Sequence, residues 1–143
     1  DMYNIMKIGA NAVQLGSRFV TTEECDASNE FKQAYINADE NNVEVIQSPV
    51  GMPGRAIKNN FIEKIQKGLK TPRTCSFNCI KTCIPEKTPY CIIKALFNAY
   101  KGKMNNGYAF AGSNAYKANK IESVKQVFSD MISQFEDRIK KGN

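Results

Sequence analysis

Seven apolar residues near the C-terminus, Val124, Val127, Phe128, Met131, Ile132, Phe135 and Ile139, recur at the spacing of one helix face. Only a 3.6-residue repeat puts them all on one side, so this stretch is committed to an amphipathic helix that needs a partner surface. Asn119 with Glu122 reads as its capping pair. Strand-like runs are scarce by comparison. "AVQL" (12–15) reads as a short buried strand, and "VEVIQ" (43–47) alternates and is β-branched. The chain is therefore expected to be mostly helical, with two or three short strands.

Punctuation residues place the other helices. Met2, Ile5, Met6 and Ile8 fall at helical spacing and stop at Gly9. Ser28 can cap a helix whose inner face is Phe31, Ala34, Tyr35 and Ala38. "SPVGMPGR" (48–55) holds two prolines and two glycines and reads as a loop. Ile57, Phe61, Ile62, Ile65 and Leu69 mark the next amphipathic helix. Thr88-Pro89 reads as a helix start, with the helix running to Lys101 and ending at Gly102. "YAFAGSNAYKANK" (108–120), rich in small residues, reads as a functional loop between helices.

Charge narrows the function classes. Twenty Lys and Arg against 14 Asp and Glu leave +6, but the bases are dispersed and interleave with no nucleic-acid-binding motif. A solvated basic surface is the expectation, without a nucleic-acid partner. No run of 18 apolar residues is present to span a membrane, and no signal-peptide pattern opens the chain. Asp1 is an unlikely natural start. Five cysteines, an odd number, argue against a secreted disulfide framework and for a reducing cytoplasm.

"GANAVQLGSRFVTTEE" (9–24) is the stretch with chemistry in it. A helix, a buried strand and then Gly-Ser at the strand's end is the arrangement at one rim of a (β/α)8 barrel, where backbone N–H groups bind phosphate. Glycine admits close approach of the anion and serine adds a hydroxyl donor. Taken alone, Gly-Ser after a strand is usually just a turn.

"IGANAVQLGSRFVTTEEC" (8–25) resembles the flavin-phosphate segment of the nitronate monooxygenase family, formerly the 2-nitropropane dioxygenases. That family also includes FMN-dependent enoyl-acyl-carrier-protein reductases. "GMPGRAIKNNF" (51–61) and "FAGSNAYKANKIESVKQVF" (110–128) resemble two further family motifs, in the right order. "CSFNCIKTC" (75–83) and "AGSNAY" (111–116) look like the branch common in anaerobic bacteria.

The resemblance implies an α/β fold: the C-terminal portion of an FMN-binding TIM barrel with its small appended domain. Residues 1–24 would be the last βα unit with the phosphate loop, 25–107 a mostly helical appended domain, and 108–143 the flavin-proximal loop and final helix. It implies that Gln14, Leu15, Gly16 and Ser17 lie at the FMN phosphate, and that Gly112, Ser113 and Asn114 belong to a loop near the flavin ring. Arg18 could add charge there or be a salt-bridged loop arginine; Arg55 is expected to be structural, tying its loop to a carboxylate or carbonyl. A barrel takes roughly 250 residues, so most of it, and the family's histidine, would lie ahead of Asp1. No catalytic residue is assigned, since the chain has no histidine. A lone barrel strand would lack neighbours, so the N-terminal unit should be rearranged or exchanged in a dimer, and FMN binding by this portion alone should be poor.

Cys75, Cys79, Cys83 and Cys91 are spaced C-x3-C-x3-C-x7-C. They could hold zinc or an iron–sulfur cluster, form a redox pair, or line one helix face as small hydrophobes. No metal ligands are assigned, and Cys25, set apart, reads as structural. The expected activity is oxidation of alkyl nitronates to a carbonyl compound and nitrite, with FMN as cofactor. NADH-dependent enoyl-acyl-carrier-protein reduction is the alternative within the family. A non-enzymatic basic helical interaction module is the alternative of another class. A homo-oligomer is also compatible.

Overall fold

A computed structural model of the chain describes residues 1–71, 75, 77 and 79–142. Among these residues the α-helices are α1 (Met2–Lys7), α2 (Ser17–Val20), α3 (Asn29–Ile36), α4 (Asn60–Gln66), α5 (Ile92–Tyr100) and α6 (Val124–Gly142). Two strands, β1 (Val43–Gln47) and β2 (Pro53–Ile57), lie between α3 and α4. They pair antiparallel, with Val43 opposite Ile57 and Gln47 opposite Pro53.

The loop after α5 extends this hairpin. Ile57 N–H donates to the Ala109 carbonyl (3.0 Å) and Ala111 N–H to the Arg55 carbonyl (2.9 Å). Alternation along β2 then sends neighbouring side chains to opposite faces. Ala56 joins Ile46, Phe61, Ile62, Tyr90, Ala95 and Tyr108 in one buried cluster. Ile57 joins Tyr35, Ala38, Ala109, Ala111 and Ala115 in the other. Phe61, Tyr90 and Tyr108 interlock, with Tyr90 edge-on to both partners at centroid separations of 5.1 and 5.9 Å. Gly107 is fixed by packing, since a Cβ there would collide with the Ala95 carbonyl.

Several expectations hold. Ser28 caps α3, its Oγ accepting from Phe31 N–H (3.3 Å). The strand at 43–47 is present at those bounds. Gly102 follows α5 with φ +83°, the left-handed region in which glycine ends helices.

Others are corrected. Residues 12–15 form no strand: the segment is irregular and largely exposed, with no ladder partner among the described residues. The Pro/Gly-rich loop is cut short because Pro53 opens β2, a first position where no ladder N–H is demanded of it. Ile57 consequently belongs to β2 and Leu69 lies beyond α4. The helix expected from Thr88-Pro89 begins at Ile92, because Tyr90 turns into the aromatic core first. The cysteines of 75–83 lie on no helix, so they share no helical face.

Helix α6 begins at Val124, four residues later than an Asn119 cap implies, and with a different cap. Glu24 accepts from Val124 N–H through both oxygens (3.0 and 2.9 Å), and Ser123 Oγ accepts from Gln126 N–H (3.2 Å). Glu122, expected to cap, is buried instead. Of the apolar stripe only Val127 is fully buried; Phe128 and Ile132 are about half exposed. Phe128 touches Phe19, and Phe135 meets Tyr3 of α1 edge-on.

Candidate functional site

Between α1, the irregular 12–15 segment and the loop at 112–115 lies an open cleft of about 530 Å³. Gln14, Leu15, Gly16 and Ser17 line one wall, and Gly112, Ser113 and Asn114 face them. The two groups are joined directly: Gly112 N–H donates to Ser17 Oγ at 2.8 Å. That bond spans 95 positions of chain. The Ser17 hydroxyl is thereby used as an acceptor and keeps its hydrogen for another partner.

The wall at 12–17 is rich in donors. With residues 12–15 outside any sheet, none of the amides from Ala12 to Ser17 donates to a protein oxygen among the described residues. Helix α2 is a single turn, so any anion held here would be held by individual N–H groups rather than by a macrodipole. A Cβ at Gly16 would meet nothing within 4 Å, so protein packing does not require glycine there. At Gly112 a Cβ would approach Ser17 Oγ to 3.4 Å, ordinary contact.

Arg18 also lines the cleft, but its guanidinium is taken up within the protein. Its guanidinium pairs with the Glu122 carboxylate and donates to Thr21 Oγ1 (3.2 Å). It is the salt-bridged loop arginine of the two alternatives. Arg55 is exposed on β2 and holds its surroundings through its backbone carbonyl, which accepts from Ala111 N–H. Among the described residues no group of three or more His, Cys, Asp or Glu side chains is gathered where a metal ion could sit. Nor is any described helix long and apolar enough to cross a membrane.

Two contributors escape sequence reasoning. Met2 and Ile5 of α1 form an apolar rim to the cleft; their helical spacing marks a packed face but not what it faces. Glu122 reads from the sequence as a capping residue, and nothing in its spacing marks it as the partner of Arg18.

The titrating groups displaced by the fold are tyrosines that do not line the cleft: the Asp26 charge raises Tyr100 at the surface, and the others lie in the core. Burial pushes Tyr35 up to about 12, with Cys25 adding a smaller push of the same sign. Burial also raises Tyr108, and the hydrogen-bonded Tyr90 hydroxyl 3.3 Å away raises it further.

A probable nitronate monooxygenase of Staphylococcus saprophyticus is 37% identical over 62 residues, 43% of this chain and 18% of the relative. One from Staphylococcus haemolyticus is 37% identical over 60 residues, 42% of this chain and 17% of the relative. The match thus spans under a fifth of these relatives' length. Among solved structures, FabK from Thermotoga maritima superposes with a TM-score of 0.77 at 25% identity, covering 97% of this chain and 41% of that one. A point mutant of the same protein gives 0.73 at 25% identity, over 98% and 38%. The sequence profile described as nitronate monooxygenase matches residues 1–134, so the chain belongs to the nitronate monooxygenase family, a family of flavin-dependent oxidoreductases.

Proposed function

We propose that the chain is part of an FMN-dependent oxidoreductase that oxidises alkyl nitronates to a carbonyl compound and nitrite, and that the 12–17 wall of the cleft receives the FMN phosphate. The observation that carries this is the run of amides from Ala12 to Ser17 with no protein acceptor, lining a cleft closed on its far side by Gly112. Backbone amides left without partners are costly unless water or a ligand satisfies them. A phosphate dianion suits a concave set of N–H donors beside a hydroxyl.

The chemistry of the donor set fits FMN. Gln14, Leu15, Gly16 and Ser17 would donate N–H groups, Ser17 adding its hydroxyl hydrogen. The open space at Gly16 lets the anion come close to the backbone. Gly112 and Ser113 would lie beside the flavin, with Gly112 holding Ser17 in place. When bound, FMN supplies the electron chemistry, and the chain supplies binding and orientation. In this reading residues 1–24 carry the phosphate-binding wall, without a strand of their own at 12–15, 25–107 are an appended domain, and 108–143 the flavin-proximal loop and last helix. The protein would be cytoplasmic.

The likeness to FabK favours a second reading, NADH-dependent reduction of enoyl-acyl-carrier protein at the same flavin site. The interaction-module reading has no support from an enzymatic family.

The purified full-length polypeptide should carry a yellow chromophore that denaturation releases as FMN. Turnover of an alkyl nitronate, against NADH oxidation with an enoyl thioester, then separates the two readings. A colourless protein that takes up no added FMN overturns both.

A further inference from the structure

Glu122 sits just ahead of α6 with its side chain almost wholly out of water. One carboxylate oxygen takes the Arg18 guanidinium. The other lies 2.8 Å from the Lys120 ammonium, off the line a hydrogen bond needs. The backbone is held too. Glu122 N–H donates to the Thr21 carbonyl (3.3 Å), and Glu23 N–H donates to the Glu122 carbonyl (3.1 Å). Beneath this junction, the buried Lys32 ammonium donates to the Thr22 carbonyl at 2.7 Å.

An ion pair with one partner buried and the other part-exposed is a poor device for stability alone, because well-packed apolar residues often serve as well or better. It is a good device for fixing a direction. Arg18 directly follows Ser17, so its guanidinium sets the orientation of the backbone that leads out of the cleft wall. Successive residues are thus anchored to distant parts of the chain, Ser17 to Gly112 and Arg18 to Glu122.

We propose that Glu122 is a positioning residue: acting through Arg18, it holds the Gln14–Ser17 amides where a phosphoryl group can meet them together, with the Ser17–Gly112 bond as the second anchor. The inference rests on the FMN reading above.

The test compares FMN with riboflavin, which has the same ring system and no phosphoryl group, in flavin-fluorescence titrations of the full-length polypeptide. Glu122→Gln should weaken FMN binding about tenfold while riboflavin binding stays at the parent value, because a misplaced donor set affects only the ligand that uses it. Glu122→Asp, which keeps the charge, should recover part of the preference. Glu24→Gln loosens the same junction at Val124 without touching Arg18, and should lower the melting temperature with the FMN-to-riboflavin ratio unchanged. Should Glu122→Gln not fold, Arg18→Lys serves, with the ratio expected to fall several-fold; an unchanged ratio there overturns the inference. So does a parallel loss of both flavins in Glu122→Gln, or no loss of either. A parent protein that binds FMN no better than riboflavin defeats the phosphate reading first, before any variant is made, and this inference with it.

Discussion

The aromatic core and the N-terminal twenty residues use apolar material in opposite ways. Around β2, Phe61, Tyr90 and Tyr108 are almost completely buried, and each ring meets another at its edge. In α1 and α2 no residue is buried. Ile8 there is 82% exposed and Leu15 39%. Composition does not separate the regions, since both hold aliphatic and aromatic residues. What separates them is partnership: the hairpin and the 108–111 strand-like segment satisfy each other's backbone, whereas the amides at 12–17 have no protein acceptor. One region is organised to hold itself together. The other leaves its donors without protein partners, and those donors line the cleft.

The contrast is most open to attack at the core. Tyr108→Ala removes a ring that is fully buried and in contact with Phe61, Tyr90 and Phe110. The loss should be about 3–5 kcal/mol, combining lost transfer energy with the cavity left behind. Denaturant unfolding would measure it. A loss under about 1 kcal/mol, the level of an ordinary surface change, would mean that the rings are not the centre of stability.

Much of the self-sufficient region was legible from local signals. Ser28 before an apolar repeat, the alternation of 43–47 and Gly102 after a helix each act within a few residues, so a single sequence carries them. The failures come where tertiary contacts overrule local preference. Thr88-Pro89 is a good helix start, yet Tyr90 is taken by the core and the helix waits until Ile92. Ile57 fits a helical repeat with Phe61, but its pairing with Val43 makes it the end of a strand. At the cleft, the family resemblance drew attention to Ser17 and Gly112 separately. Their direct bond could not be read from either motif, and neither could the pairing of Arg18 with Glu122, 104 positions away.

A smaller effect, up to about 2 kcal/mol, is expected from alkali. The Tyr35 hydroxyl donates to the Phe110 carbonyl at 2.6 Å and is held neutral up to about 12, against an ordinary value of 10.0. The folded chain therefore binds this proton more tightly than the unfolded chain does. Its contribution is complete below pH 10 and is lost as the pH climbs from 10 towards 12. Unfolding measured across that window should show stability falling, and Tyr35→Phe should flatten the fall. An equally steep decline in the variant would assign it elsewhere. Below this in size comes Ser28→Ala, which leaves the Phe31 N–H without its cap acceptor and should cost about 1 kcal/mol, with Ser28→Asp retaining most of the stability.

The smallest expected change is the sharpest probe of the N-terminal region. Ile8→Ser removes a large aliphatic side chain, a change that inside a core would cost several kcal/mol. At 82% exposure the side chain gives up almost no water on folding, so the loss should stay within about 0.5 kcal/mol. The same variant should leave the denaturant m-value unchanged, because the surface exposed on unfolding hardly differs. A loss above about 2 kcal/mol would put Ile8 in a packed environment, as a covered face rather than an open one. The N-terminal segment would then be held by hydrophobic contacts like those around Tyr108, and its unpaired amides would no longer distinguish a region kept free for a ligand from one closed by packing.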